Sequence, residues 1–239
     1  CTLYITINEL MRTLNNKSIL FLGKKNDKHC LKAIEFLNKN FKNVDVYFGE
    51  FHGEPLPDGA KQWHGDYVIS YLSRWIVPLD LLDRANIASF NFHPASPDYP
   101  GIGCNNFALY FEDDTYGATC HHMLEKVDTG NIIAVKRFEI HATDTVESIL
   151  RKTYDVQLVL FYEVIQTIID GHDLPQTEEV WTRKPFTRKE FNELMKITPE
   201  MDNEELRKRI RATSFNQWQP SVKIGKYHFY YDPNKQKVD

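Results

Sequence analysis

The chain of 239 residues lacks any apolar run approaching the ~18 residues that a membrane-spanning helix needs. No signal-peptide pattern is visible either. Cysteine is scarce. Cys1, Cys30, Cys104 and Cys120 have neither the paired spacing of a zinc site nor the density of a secreted disulfide framework. Cys104 and Cys120 flank the segments singled out below and read most simply as small buried apolar residues. There is no Gly-x-Gly-x-x-Gly fingerprint and no P-loop. The first apolar run ends instead in Gly23-Lys24-Lys25-Asn26-Asp27-Lys28, whose lysines read as solvated, with phosphate contact as the other reading. Positive charge is not in excess: 29 Lys and Arg stand against 33 Asp and Glu, a net charge of −4. That balance builds no broad basic surface for tRNA or DNA. No internal repeat and no low-complexity segment is present. A first residue of Cys rather than Met suggests that the chain begins downstream of its true N-terminus.

What is there is ordinary globular composition, 42% hydrophobic and 26% charged, enough for a sizeable core. One main domain over residues 1–185 with an appended piece over 186–239 fits the length and the change of character near residue 186. Residues 18–24, 43–48, 67–72 and 88–93 read as strands. Between them, residues 28–41 carry a helical apolar pattern, and Pro78 starts a short helix over 79–85 from a favoured first helical position. Alternating strands and helices predict an α/β fold with a mostly parallel sheet and right-handed crossovers. Residues 118–122 and 132–138 read as two further strands. A long helix follows, with Asp144 and Glu147 spaced as a cap and Gly171 at its end. Short charged helices over 187–195 and 202–212 precede an aromatic, alternating tail over 218–231, a hairpin signal centred on Ile224-Gly225-Lys226.

Two segments carry the chemistry. Asn91 and His93 end an apolar strand, and alternation puts both side chains on one face. The prolines that follow stop the strand at a place where open parallel sheets hold ligands. Asp128 arrives later from a loop. An amide, an imidazole and a carboxylate without a Ser or Cys nucleophile suit acyl transfer between two bound substrates. Each residue alone reads more simply as a turn, a cap or a satisfied polar group. His121 and His122 are strand neighbours that point to opposite faces, so they do not converge on a metal.

The wording around these residues resembles a known family. Asn91-Phe92-His93-Pro94, the stretch Tyr99-Pro100-Gly101-Ile102-Gly103-Cys104, and Asp128-Thr129-Gly130 after a His-containing strand are similar to the 10-formyltetrahydrofolate-dependent formyltransferases. The likeness covers roughly residues 60–140 and is nearest to the sugar-nucleotide N-formyltransferases. The run Tyr116-Gly117-Ala118-Thr119-Cys120-His121-His122 belongs to the same pattern. The resemblance implies a Rossmann-like formyltransferase fold in which His93 accepts or shuttles a proton, Asn91 stabilises an oxyanion and Asp128 supports His93. It implies 10-formyltetrahydrofolate as formyl donor, held by Arg74, Trp75 and Ile76 after the third strand and by Val127 and Asp128, with no metal. Core packing is the other reading of Trp75.

The acceptor implied is an amino sugar on a nucleotide, thymidine diphosphate by resemblance, for surface polysaccharide synthesis in the cytoplasm. Tyr99, His121, Arg211, Trp218, Lys223 and Tyr227 are the candidates to hold it. The aromatic tail has two readings of equal weight, stacking on a base or forming a homodimer interface. Glycinamide ribonucleotide transformylase, a formyltetrahydrofolate hydrolase, and a non-catalytic nucleotide-sugar or folate-binding module are the alternatives. The first is disfavoured because the loop after residue 23 lacks that enzyme's Gly-Ser-Asn pattern.

Overall fold

The computed structural model describes residues 16–216 and 218–232; Cys1 lies outside them. The elements in chain order are β1 (Ser18–Lys24), α1 (Lys28–Asn40), β2 (Asn43–Gly49), α2 (Asp58–Lys61), β3 (Gly65–Tyr71), α3 (Leu79–Leu82), β4 (Ala85–His93) and α4 (Cys104–Phe111). They continue as β5 (Thr115–His122), β6 (Ile132–Glu139), α5 (Val146–Ile169), α6 (Arg188–Leu194), α7 (Asn203–Thr213), β7 (Ser221–Ile224) and β8 (Tyr227–Tyr230). The main sheet runs β2-β1-β3-β4-β5-β6. Its pairs from β2 to β4 are parallel, and β4–β5 and β5–β6 are antiparallel. The architecture is the expected α/β sheet with a C-terminal helical and hairpin region.

The two faces of the sheet have different jobs. On one, Ile19, Phe21, Tyr67, Ile69, Phe90 and Phe92 pack with residues of α1 and α5, among them Cys30, Leu37, Leu158, Phe161 and Ile165. Strands buried on both faces read as continuous apolar runs, which is why the sequence gives β1 and β3 away. On the other face Leu20, Leu22 and Val68 meet Trp75, Val77 and Leu81. A third cluster joins Tyr99, Phe107, Tyr116 and Ile149 to Phe186, Phe191, Leu194 and Ala212. Residues on both sides of position 186 therefore share one apolar cluster.

Several boundaries differ from the sequence reading for local reasons. The 79–85 helix stops at Leu82, because Ala85 already begins β4, and Pro78 stands before the helix rather than inside it. α5 is capped by Thr145, whose hydroxyl accepts from Ser148 N while the Ser148 hydroxyl accepts from Thr145 N. Asp144 is not that cap. It accepts from His141 N, Ser148 and Lys152 instead. Helix α4 was not foreseen. It is short, and its N-cap is Gly103 in the left-handed region, with no side-chain cap to announce it.

Candidate active site

β4 delivers the first two groups. Phe92 is buried against α5, and Gln157 Nε2 donates to its carbonyl at 2.6 Å. Asn91 and His93 accordingly project from the opposite face. In the antiparallel pairing Asn91 stands across from His121, and His93 across from Thr119. The loop leaving β4 is tied back to the sheet: the Tyr116 hydroxyl donates to Pro94 O and the Thr119 hydroxyl to Ala95 O. It then passes Gly101, whose φ of +94° and close approach to the Phe186 backbone leave no room for a side chain.

Asp128 comes from the turn after β5 and holds a left-handed φ of 51°. Its Oδ2 accepts from Gly101 N at 2.9 Å and lies 3.5 Å from His93 Nδ1. Its Oδ1 lies 3.4 Å from His121 Nε2. Asn91 Nδ2 donates to the same His121 nitrogen at 3.2 Å, and His121 Nδ1 donates to His122 O at 2.8 Å. His93 Nε2 donates to Tyr99 O at 3.0 Å, with Cys104 Sγ at 3.8 Å. Asn91, His93 and Asp128 thus join one network, with His121 as the link between the amide and the carboxylate. His93 and Asp128 are buried, Asn91 is half-buried, and Val127 beside Asp128 is exposed.

The electrostatics follow from these contacts. Burial opposes charge on His93, but the Asp128 carboxylate, the Cys104 sulfur and the Tyr99 carbonyl outweigh it and push the imidazole up to about 9. Burial likewise opposes charge on Asp128, yet His93 and the Gly101 N–H hold it down at about 2. At neutral pH the pair is an imidazolium beside a carboxylate. His122, on the other side of the strand, is lowered by burial and by His121.

The remaining expected residues scatter. Trp75 is buried in the cluster with Leu20 and Val68, which is the packing reading, while Ile76 is 75% exposed. Arg74 meets His52 at 2.9 Å. Arg74 Nε and Trp75 Nε1 are buried donors with no partner among the described residues. His121, expected to touch substrate, is buried and spends both ring nitrogens on protein groups. The Tyr99 side chain is buried as well, and its hydroxyl donates to Asp113; only its carbonyl reaches the site. Arg211 is turned away, donating to the carbonyls of Asp144 and His141. Lys223 and Tyr227 sit on opposite faces of the hairpin, since Lys223 pairs with His228 and Ile224 with Tyr227. They cannot grip one ligand from the same side. Trp218 is partly exposed and closes a tight turn with Phe215.

Sequence reasoning missed Trp181. Its indole donates to Gly130 O at 2.8 Å and meets the rings of both His93 and His121. Nothing in the aperiodic stretch around it signals such a role. Among the described residues no group of three or more His, Cys, Asp or Glu side chains is placed to hold a metal ion. No described helix is long and apolar enough to cross a membrane.

Comparison with known proteins gives this geometry a context. A GDP-perosamine N-formyltransferase of Brucella melitensis is 24% identical over 227 residues, covering 91% of this chain and 86% of that protein. A methionyl-tRNA formyltransferase of Bacillus licheniformis is 28% identical over 52% of this chain and 40% of its own length. The chain spans only 12% to 47% of three of the curated relatives it matches. Among solved structures, an N-formyltransferase from Helicobacter canadensis in complex with folinic acid and dTDP-3-aminofucose shares the fold. Its TM-score is 0.68 at 21% identity, over 88% of this chain and 85% of that one. Residues 52–165 match the family described as formyl transferase, and that span holds Asn91, His93, His121 and Asp128. Over that span the chain is similar to the formyl transferase family.

Proposed function

We propose that this enzyme moves a formyl group from 10-formyltetrahydrofolate to the amine of a nucleotide-linked amino sugar. The observation that carries the proposal is the single network joining Asn91, His93 and Asp128 at the end of β4. The amine nitrogen attacks the formyl carbon, and the formyl oxygen becomes an oxyanion. Asn91 Nδ2 exchanges its bond to His121 for one to that oxygen. The bond from the formyl carbon to the folate nitrogen then breaks. His93, charged and carrying a proton on each ring nitrogen, exchanges its Nε2 bond to Tyr99 O for one to the departing nitrogen, supplies the proton that nitrogen needs and is recharged by the one the amine loses. Asp128 keeps the imidazolium in place and charged.

The neighbourhood fits a flat heterocyclic donor. Arg74 Nε and Trp75 Nε1, in the loop after β3, are donors with no partner among the described residues. Met123 packs on the cluster that contains Trp75, bringing the loop after β5 alongside. Ile76, Leu79, Leu124 and Val127 offer exposed apolar surface from those two loops. Arg74, Trp75, Ile76 and Val127 therefore remain the proposed folate contacts. The nucleotide-sugar reading is supported by the near full-length match to the Brucella protein and by the ligands of the Helicobacter structure. The net charge of −4 favours a small acceptor over tRNA. The base is proposed to be thymine, with guanine as the alternative that the Brucella relative raises.

The exposed hairpin face is proposed to form a homodimer. Val222, Ile224, Tyr227 and Phe229 share that face, and the last three are more than half exposed. The test of the function is an acceptor screen with the formyl donor present, using dTDP- and GDP-linked amino sugars and mass spectrometry of the products. One or more amines should gain a formyl group. Release of formate with no amine formylated would replace the transferase reading with the hydrolase one.

A further inference from the structure

Trp181 lies outside the span that matches the family, in the stretch between α5 and α6 that forms no helix. It belongs to none of the three apolar clusters. Its ring instead lies 5.0 Å from His121 at an interplanar angle of 84°, and 5.8 Å from His93 at 71°. The indole N–H is anchored on Gly130 O, two residues past Asp128. The stretch around it is a strap. Glu179 pairs with Arg137, Thr182 N donates to Pro97 O at 3.4 Å, Phe186 N to Pro100 O at 2.9 Å, and Ile102 N to Phe186 O at 3.0 Å. The strap therefore holds together the two loops that supply the partners of His93: Tyr99 O from one and Asp128, itself bonded to Gly101 N of the first, from the other.

The geometry points to Trp181 as a positioning residue that walls both imidazoles off from water and pins the Asp128 turn, so that the formyl group passes to an amine rather than to water. The inference rests on the formyl-transfer reading above. Water admitted beside His93 and Asp128 would screen their attraction and would also be a rival nucleophile. The groups facing His93 are Asp128, the Cys104 thiol, the Tyr99 carbonyl and, across Asp128, His121. All of them except the thiol are held by the strap directly or through Gly130, Gly101 and the indole ring.

The experiment titrates the histidine rings of the full chain by NMR, without substrate, in the wild type and in Trp181→Phe, Trp181→Leu and Trp181→Ala. The same proteins are then assayed for formate released against amine formylated. Trp181→Phe keeps a ring wall but loses the anchor. It should hold the wild-type His93 midpoint and the wild-type product ratio while turnover falls severalfold. The Leu and Ala variants should lower the His93 midpoint by about one pH unit or more and raise the share of formate roughly tenfold. If the Ala variant does not fold, the Leu and Phe variants decide the matter. A wild-type midpoint and a wild-type product ratio in Trp181→Leu overturn the proposal. Because the titration uses no substrate, a displaced midpoint in a protein that formylates no amine would sink the proposed function and leave the role of Trp181 standing.

Discussion

His93 faces an acceptor on each side of its ring, the Asp128 carboxylate and the Tyr99 carbonyl, and this arrangement has a thermodynamic signature. A folded-state pKa raised to about 9 stabilises fully below the unfolded value of about 6.5, and the gain is lost as pH rises through about 9. Asp128, lowered to about 2, contributes above its unfolded value of about 3.9 and loses that as pH falls through about 2. The pair should therefore stabilise most between about pH 4 and about pH 6.5. Urea unfolding followed from about pH 5 to about pH 10 should show a declining alkaline limb that Asp128→Asn flattens. Identical limbs in both proteins would rule the pair out as its source. Asn91→Ala should reduce kcat by roughly two to three orders of magnitude with little change in the KM for the formyl donor, as expected for a lost oxyanion donor. Steady-state kinetics decides this, and a raised KM at unchanged kcat would assign Asn91 to ground-state binding. Asn91 and His93 were legible because strand alternation alone puts them on one face. Asp128 was legible only through its family wording. The linking position of His121 was not, since it depends on the antiparallel register that sets it opposite Asn91.

At the scale of elements, α5 is the long brace under the sheet, and its start depends on a reciprocal pair of side chains. Thr145→Ala removes the acceptor for Ser148 N and should cost about 1 kcal/mol in urea unfolding. Asp144→Ala would instead release His141 N, Ser148 and Lys152. An Ala variant at 145 with unchanged stability would show that the cap contributes nothing. The sequence reading placed this helix correctly and misassigned its cap. Acid spacing is an ambiguous signal when a Thr stands beside the acid and a Ser three residues further on. The same limit applies to α4. Its first residue follows a left-handed glycine, and its apolar side chains form no long periodic run. β1 and β3 were read easily, because both of their faces are covered and their central positions form apolar runs.

At the scale of the molecule, α1 and α5 cover one face of the sheet, and the network of Asn91, His93 and Asp128 lies on the other, beside the apolar cluster around Trp75. The hairpin stands apart from both, and no ring contact or hydrogen bond among the described residues ties β7 or β8 to Asn91, His93 or Asp128. Its apolar face is the surface for the proposed dimer. Paired substitution of Ile224→Ser and Phe229→Ser should shift the protein to monomer in light scattering while urea stability stays within about 0.5 kcal/mol of wild type. An unchanged molar mass would move the interface elsewhere. The hairpin was legible from Gly225 and the aromatic alternation around it, but its relation to the substrate was not. A tail tied through Ser221 to the residues just after α6 reveals its distance from the site only in three dimensions.

The register between β4 and β5 has a practical consequence. Asn91 opposes His121 and His93 opposes Thr119. A slip of a single residue would turn Asn91 and His93 inward and bring Phe92 out among the substrates. Such a protein would keep its strand content while losing the core places of Phe90 and Phe92, and far-UV spectroscopy would scarcely distinguish it from the native form. Specific activity would distinguish it at once. For this enzyme, turnover per milligram after refolding is therefore a direct count of the molecules whose strands have found the right partners.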